Sequence, residues 1–244
     1  MCDASHERGK GWKGWVDLPK PEPLQPSGPW LDCSWPIAQT MPRVPVFPPP
    51  TIRRIKSLPD DPLNVTEFGM VVHTGTHVDA PRHFFMDGPA LEDVPLDRLS
   101  GAGVVIHLKK NAHELIEPED LDRATPAIRA GDIVAIDTGW ARKHGTPDYE
   151  DHPSLSHEAA RWLVAKKVKL LACDFGTPDL PLHRRPKDFN WPVHLELLSH
   201  GVLVCEHLTG HAALAGKRVE FVFSALNIVS SDGAPARVMA REVA

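Results

Sequence analysis

Three histidines and one aspartate fall within the eleven residues His73-Thr74-Gly75-Thr76-His77-Val78-Asp79-Ala80-Pro81-Arg82-His83. Imidazole and carboxylate together suit a borderline divalent ion. The spacing H-x3-H-x-D-x3-H therefore points to zinc, with manganese admitted by the oxygen donor. A carboxylate can bridge two ions, so one or two per chain are compatible with this set. Gly75, the two threonines, Val78 and Pro81 disfavour a helix. The segment is thus not a helical HExxH site, whose glutamate it also lacks. In extended chain His77 and Asp79 point the same way, because side chains alternate with period two. Gly75 permits a bend that brings His73 round to them. Pro81 turns the chain toward His83, an imidazole placed to exchange protons near neutral pH.

Two later residues are candidates to complete the site. His194 sits in a segment, Pro192 to His200, that reads as a helix stopped by Gly201. Leu197 and Leu198 share its face, so that face is expected to be buried. Read alone, such a histidine is more often a satisfied core residue than a ligand. Glu206 directly follows the apolar run Val202-Leu203-Val204-Cys205. A carboxylate at the inner end of a buried strand needs a partner, and a metal is one.

The elements that must hold these groups alternate strand and helix. Strands are predicted over Phe68 to His73, Gly103 to Leu108, Asp132 to Asp137, Val168 to Cys173, Val202 to Cys205 and Val219 to Val229. Short helices are predicted from Pro118 to Arg123 and from the N-cap Ser156 to about Lys167. This is an α/β chain. Residues 1–62 read as a proline-rich N-terminal arm and 63–244 as the catalytic domain. The chain has 25 prolines, including the run Pro48-Pro49-Pro50, and proline resists helix interiors and central strands. Trp12, Trp15, Trp30, Trp35 and Phe47 give the arm apolar weight. It is expected to pack on the body or on a neighbouring subunit, with a loose tail over roughly its first dozen residues.

Composition excludes several partners. The net charge is −5 and no basic stripe is present, which argues against nucleic acid. No apolar run approaches the roughly 18 residues needed to span a bilayer. The polar start, with Cys2, Asp3, His6 and Glu7, has no apolar core of a secretory signal, so a cytoplasmic location is expected. The four cysteines form no CxxC pair and imply no disulfide framework; Cys173 and Cys205 read as buried thiols. No G-x-S-x-G elbow is present, which disfavours a serine hydrolase.

Taken with these residues, the sequence resembles the cyclase family of metal-dependent hydrolases, which includes bacterial kynurenine formamidase and isatin hydrolase. Its signature H-x-G-T-H-x-D-x-P-x-H is matched from His73 to His83 at every fixed position. Asp137-Thr138-Gly139-Trp140, His152-Pro153-Ser154-Leu155-Ser156, His194-x-x-Leu197-Leu198, Val204-Cys205-Glu206-His207-Leu208 and Ser231-Asp232-Gly233-Ala234-Pro235-Ala236-Arg237 resemble further family segments. The resemblance implies a mixed, partly barrel-like β-sheet with outer helices, a swivelling β/β/α fold, assembled as a homodimer or homotetramer. It implies one metal on His73, His77 and Asp79. Asp79 would bridge to a second ion held by His194 and Glu206, and His83 would be the general acid/base. Glu206-His207 stands where many relatives have Glu-Asn, making His207 an extra ligand, a supporting residue or a surface one. Val46-Phe47-Pro48-Pro49 departs from the V-W-P-G-like element of kynurenine formamidases. Trp35, Phe47, Phe84 and Phe85 are candidates for an apolar substrate wall, with core packing the plainer reading for Phe84 and Phe85. Asp174, Thr177 and Asp179 read as solvated loop. The expected reaction is hydrolysis of a small amide, lactam, formamide or lactone by metal-activated water. The alternatives are a cyclase or dehydratase using the same groups, and a non-catalytic metal- or ligand-binding protein.

Overall fold

The computed structural model describes residues 9–244, so Cys2 and most of the expected loose tail lie outside the described residues. In chain order the strands are β1 (Leu31–Asp32), β2 (Thr51–Lys56), β3 (Val65–Gly69), β4 (His77–Asp79), β5 (Ser100–His107), β6 (Leu115–Ile116), β7 (Ile133–Asp137), β8 (Ser154–Leu155), β9 (Leu170–Cys173), β10 (Leu203–Glu206), β11 (Lys217–Ala225) and β12 (Gly233–Glu242). The helices are α1 (Pro118–Asp122), α2 (His157–Ala165) and α3 (Pro192–Ser199).

Seven strands close on themselves in the order β4-β10-β9-β7-β5-β11-β12, with β12 pairing back to β4. Strands β5, β7, β9 and β10 run parallel, and the remaining pairings of the barrel are antiparallel. The parallel strands are apolar on both faces because both are covered. Val104, Ile106, Val134, Ile136, Leu171, Cys173 and Val204 join Leu163, Leu197 and Leu198 of the helices in one core. Val105, Ile133, Ala135, Leu170, Ala172, Leu203 and Cys205 fill the barrel with Val78, Phe221 and Val238. The period-two alternation thus separates an inner core from a helix-facing one.

This alternation places the chemistry. Val78 points into the barrel, so His77 and Asp79 point outward, toward the helices. Cys205 points inward and Val204 outward, so Glu206 emerges on the outer side with them. The register sets Glu206 opposite His77 and Val204 opposite Asp79. Helix α3 then lays His194 over the same patch.

Several boundaries differ from expectation. The run Phe68 to His73 is not one strand. β3 stops at Gly69 and pairs with β2 in a hairpin outside the barrel, leaving Phe68 half exposed. The following residues are irregular up to the short strand β4. Residue 62 falls within the turn of this hairpin. The strand expected to reach Val229 ends at Ala225, and β12 was not anticipated. Part of the arm lies on the body: β1 pairs with β12, and Lys13 and Val16 donate backbone N–H groups to Ser199 and His200. Trp12 and Trp15 meet edge to face at 5.2 Å beside Gly201. No helix among the described residues is long and apolar enough to cross a membrane.

Candidate metal centre

His77 and Asp79 leave the seam of the barrel side by side. Gly75, at φ +65°, makes the bend that precedes them, a conformation costly for any residue with a Cβ. Its carbonyl accepts the Nδ1–H of His77 at 2.7 Å. That bond sets the tautomer and leaves Nε2 free as a donor to a metal. His77 Nε2 is buried and has no hydrogen-bond partner.

Four side chains converge around it. His77 Nε2 is 3.3 Å from Asp79 Oδ1 and 3.5 Å from Glu206 Oε2. His194 Nε2 is 3.4 Å from Asp79 Oδ2 and 3.2 Å from Glu206 Oε1. Ligand atoms bonded to zinc at ~2.0–2.1 Å in a tetrahedron lie about 3.3 Å apart. Each separation is near that edge, with each carboxylate turning one oxygen to His77 and the other to His194. The two separations from His77 are also too long for good hydrogen bonds, which is why its Nε2 is orphaned. All four residues are buried. The donor set, the spacing and the orphaned nitrogen fit a divalent ion.

The local field favours positive charge. Burial alone would lower the pKa of His194, but hydrogen bonds to Asp179, Asp79 and Glu206 outweigh it and hold it well above the usual imidazole range. His73 is also opposed by burial, yet the charge of Asp79 and hydrogen bonds to Asp232 and Asp79 push it up to about 10. The carboxylates that favour imidazolium favour a metal cation for the same reason.

His73 stands differently from the other predicted ligands. Its Nδ1 is 2.7 Å from Asp79 Oδ1 and its Nε2 is 2.8 Å from Asp232 Oδ2, so both nitrogens are engaged. The first distance is that of a shared proton, so His73 would have to release it to bind an ion. His83 stacks on His73, with ring centres 3.9 Å apart, and its Nδ1 is 3.5 Å from Asp232 Oδ2. It is the least buried histidine of the group and has no direct bond to Asp79.

Asp179, read from the sequence as solvated loop, and Asp232, noted there only within the Ser231-to-Arg237 segment, support the ligands. Asp179 Oδ2 accepts from His194 Nδ1, and the carboxylate also accepts the backbone N–H groups of Val193 and His194. It therefore caps the first turn of α3 and orients the ligand at once. The expectation of solvated loop for Asp174, Thr177 and Asp179 is overturned, since all three are buried. Asp174 accepts from Thr138 and from the Trp140 N–H, fixing the turn after β7. The hydrogen bonds from His73 and His83 hold the carboxyl of Asp232 far below its ordinary range.

The aromatic candidates fall in different surroundings. Phe84 lies 4.7 Å from the His83 ring and 5.2 Å from the His194 ring. Trp191, which the sequence reading passed over, is 6.1 Å from Phe84 and 38% exposed. Phe85 is core. Trp35 packs its ring against His144, and its backbone N–H donates to Thr76 Oγ1, next to His77. Trp35 also lines a cavity of about 580 Å³ with Met41 and Phe68. Phe47 sits half-buried in the Val44–Phe47 turn. His207 is no surface residue: it is buried, hydrogen-bonded through Nδ1 to the Tyr149 hydroxyl at 2.7 Å, with its ring 6.2 Å from that of His77.

Comparison with known proteins bears on the family and the fold. The Cyclase family model matches residues 31–180. The kynurenine formamidase of Geobacillus thermodenitrificans is 30% identical over 220 residues, covering 88% of this chain and 98% of its own. That of Salinibacter ruber is 30% identical over 182 residues, covering 74% and 81%. Among solved structures, one described as a potential metal-dependent hydrolase with cyclase activity superposes with a TM-score of 0.73 at 27% identity, covering 88% of this chain and 98% of its own. Isatin hydrolase A from Labrenzia aggregata superposes with a TM-score of 0.80 at 20% identity, covering 89% and 94%, a likeness of fold.

Proposed function

This chain belongs to the Cyclase family, and on that premise we propose that it is a metal-dependent hydrolase of a C–N bond in a small formamide or cyclic amide, with lactones as further candidates. The observation that carries the reading is the pair of carboxylates, Asp79 and Glu206, each lying 3.2–3.5 Å from both His77 Nε2 and His194 Nε2, with His77 Nε2 orphaned. His77, Asp79, His194 and Glu206 would hold zinc or manganese, with His73 joining once it yields the proton shared with Asp79. Asp79 would also serve a second ion where one binds. The ion supplies an activated water and polarises the carbonyl to be attacked.

The chain's own residues do the rest. His83 is close to the cluster without an engaged ligand bond, and it delivers a proton to the leaving nitrogen. Asp232 lies between His73 and His83 and keeps both rings in place. Phe84 and Trp191 offer flat apolar faces beside His83, which suits a substrate carrying an aromatic ring. The relatives that carry the name kynurenine formamidase support the amide reading.

The test is elemental analysis of dialysed protein, followed by turnover of isatin, N-formylkynurenine and small lactones. At least one zinc or manganese per chain is expected, with turnover lost to a chelator and restored by the ion. A single product heavier by one water from isatin or a lactone, or release of formate with the free amine from N-formylkynurenine, marks hydrolysis, whereas an unchanged mass, or loss of water without formate, marks a cyclase or dehydratase. Absence of metal after zinc and manganese are offered back would overturn the reading.

A further inference from the structure

A second group of ligand-type side chains lies away from the barrel seam, on the loops carrying His113, Asp151 and His183. His183 Nε2 is 3.1 Å and His113 Nε2 is 3.5 Å from the same oxygen, Asp151 Oδ1. These separations bracket the edge of about 3.3 Å expected for ligands on a tetrahedral zinc. The two rings meet at 73° with centres 5.5 Å apart, so their nitrogens converge without stacking.

The group is built on fixed backbone. The His113 N–H donates to the Asp151 carbonyl at 3.1 Å, and the Ser154 N–H to that of Glu114. These bonds extend the parallel pair β6–β8, in which Leu115 faces Ser154 and Ile116 faces Leu155. His113 is held at φ +61°, a conformation that costs about 1–2 kcal/mol outside glycine and needs surrounding structure to hold it. His183 comes from the separate turn Leu182–Arg184. The three side chains are part-exposed, with side-chain exposures of 33, 41 and 49% for His113, Asp151 and His183, leaving room for water as a further ligand.

We propose that His113, Asp151 and His183 form a second, solvent-facing site for zinc, independent of the ion at Asp79. Occupied, it ties the Pro147–Asp151 turn to the Leu182–Arg184 turn. Tyr149, Glu150, Leu182 and Arg185 of those segments line a small cavity together with His207, so the ion braces one wall beside the main centre.

The experiment dialyses wild type and the double variant His113→Ala/His183→Ala against zinc buffered at a fixed free concentration and counts bound zinc per chain. Asp151→Asn is measured in parallel, because it keeps the backbone bond to His113. The expected result is one zinc fewer per chain in the double variant, at least tenfold weaker binding of that zinc in Asp151→Asn, and unaltered occupancy of the tighter class. Equal stoichiometry and affinity in all three proteins would overturn the site and leave an ordinary surface ion pair. Loss of the tighter zinc in Asp79→Ala, with the weaker one retained, separates the two centres.

Discussion

Asp179 Oδ2 lies 2.6 Å from His194 Nδ1, and the same carboxylate closes the first turn of α3. One side chain thus joins a helix terminus to a metal ligand. Asp179→Asn should keep a cap and lose the charge that fixes the imidazole. Zinc affinity at the main centre should fall about 10–100-fold, with little change in helix-start stability, because asparagine caps about as well as aspartate. Competition with a chelator measures the first effect and denaturant unfolding of the metal-free protein the second. Wild-type zinc affinity in this variant would remove Asp179 from the site.

His83 makes a sharper test of role. His83→Ala should retain the metal, since its nitrogens do not enter the four-ligand set, and should lower kcat by about 10²–10⁴-fold. Asp79→Ala should lose the metal as well as turnover, because Asp79 touches both His77 and His194. Metal analysis beside turnover distinguishes the two behaviours. Full activity in His83→Ala would leave the proton transfer without its proposed donor.

The His73-to-His83 signature was legible because its geometry is local: a glycine bend, a period-two pair and a proline exit. His194 and Glu206 were legible as polar residues on apolar elements. Asp232 gained its role only from barrel closure, which sets β12 against β4 and brings residues 159 positions apart together. Asp179 looked like loop because its partners are backbone groups of a distant helix. Strand β12 did carry a signal, since Ala234, Ala236, Val238 and Ala240 alternate inward. Pro235 and the interleaved arginines obscured it. The run Phe68 to His73 is apolar enough for a strand, but β3 had an available partner in β2, so it paired outside the barrel. Trp191 was passed over because only the fold of the 185–191 segment brings it beside Phe84.

Gly233 tests the seam itself. It faces Asp79 in the β12–β4 register. A Cβ there would come within 2.8 Å of the Val78 carbonyl and 2.9 Å of His73 Cε1. The first contact is backbone and cannot swing away. Gly233→Ala should therefore lower stability by roughly 1–3 kcal/mol and weaken metal binding by displacing His73. Thermal unfolding with and without zinc checks both. A variant with unchanged stability and zinc affinity would show that the seam yields easily.

His152 gives the protein a pH dependence that can be isolated. It is buried, its Nδ1–H donates to the Pro153 carbonyl at 2.8 Å, and burial, with nearby Arg185 and two histidines, lowers its pKa to about 4 against 6.5 for a free imidazole. The unfolded chain therefore binds a proton between pH 6.5 and 4 that the folded chain refuses. Stability is full above about pH 6.5 and falls as pH drops through this window, the sign expected when the unfolded state holds more protons. For this one group the loss from pH 8 to pH 5 is about 2 kcal/mol. His152→Gln can retain a donor toward Pro153 but cannot titrate. The stability difference between wild type and variant, measured by denaturant unfolding of metal-free protein at pH 8 and pH 5, should shift against wild type by about that amount. A difference independent of pH would mean that His152 accepts its proton in the folded state as readily as in the unfolded one.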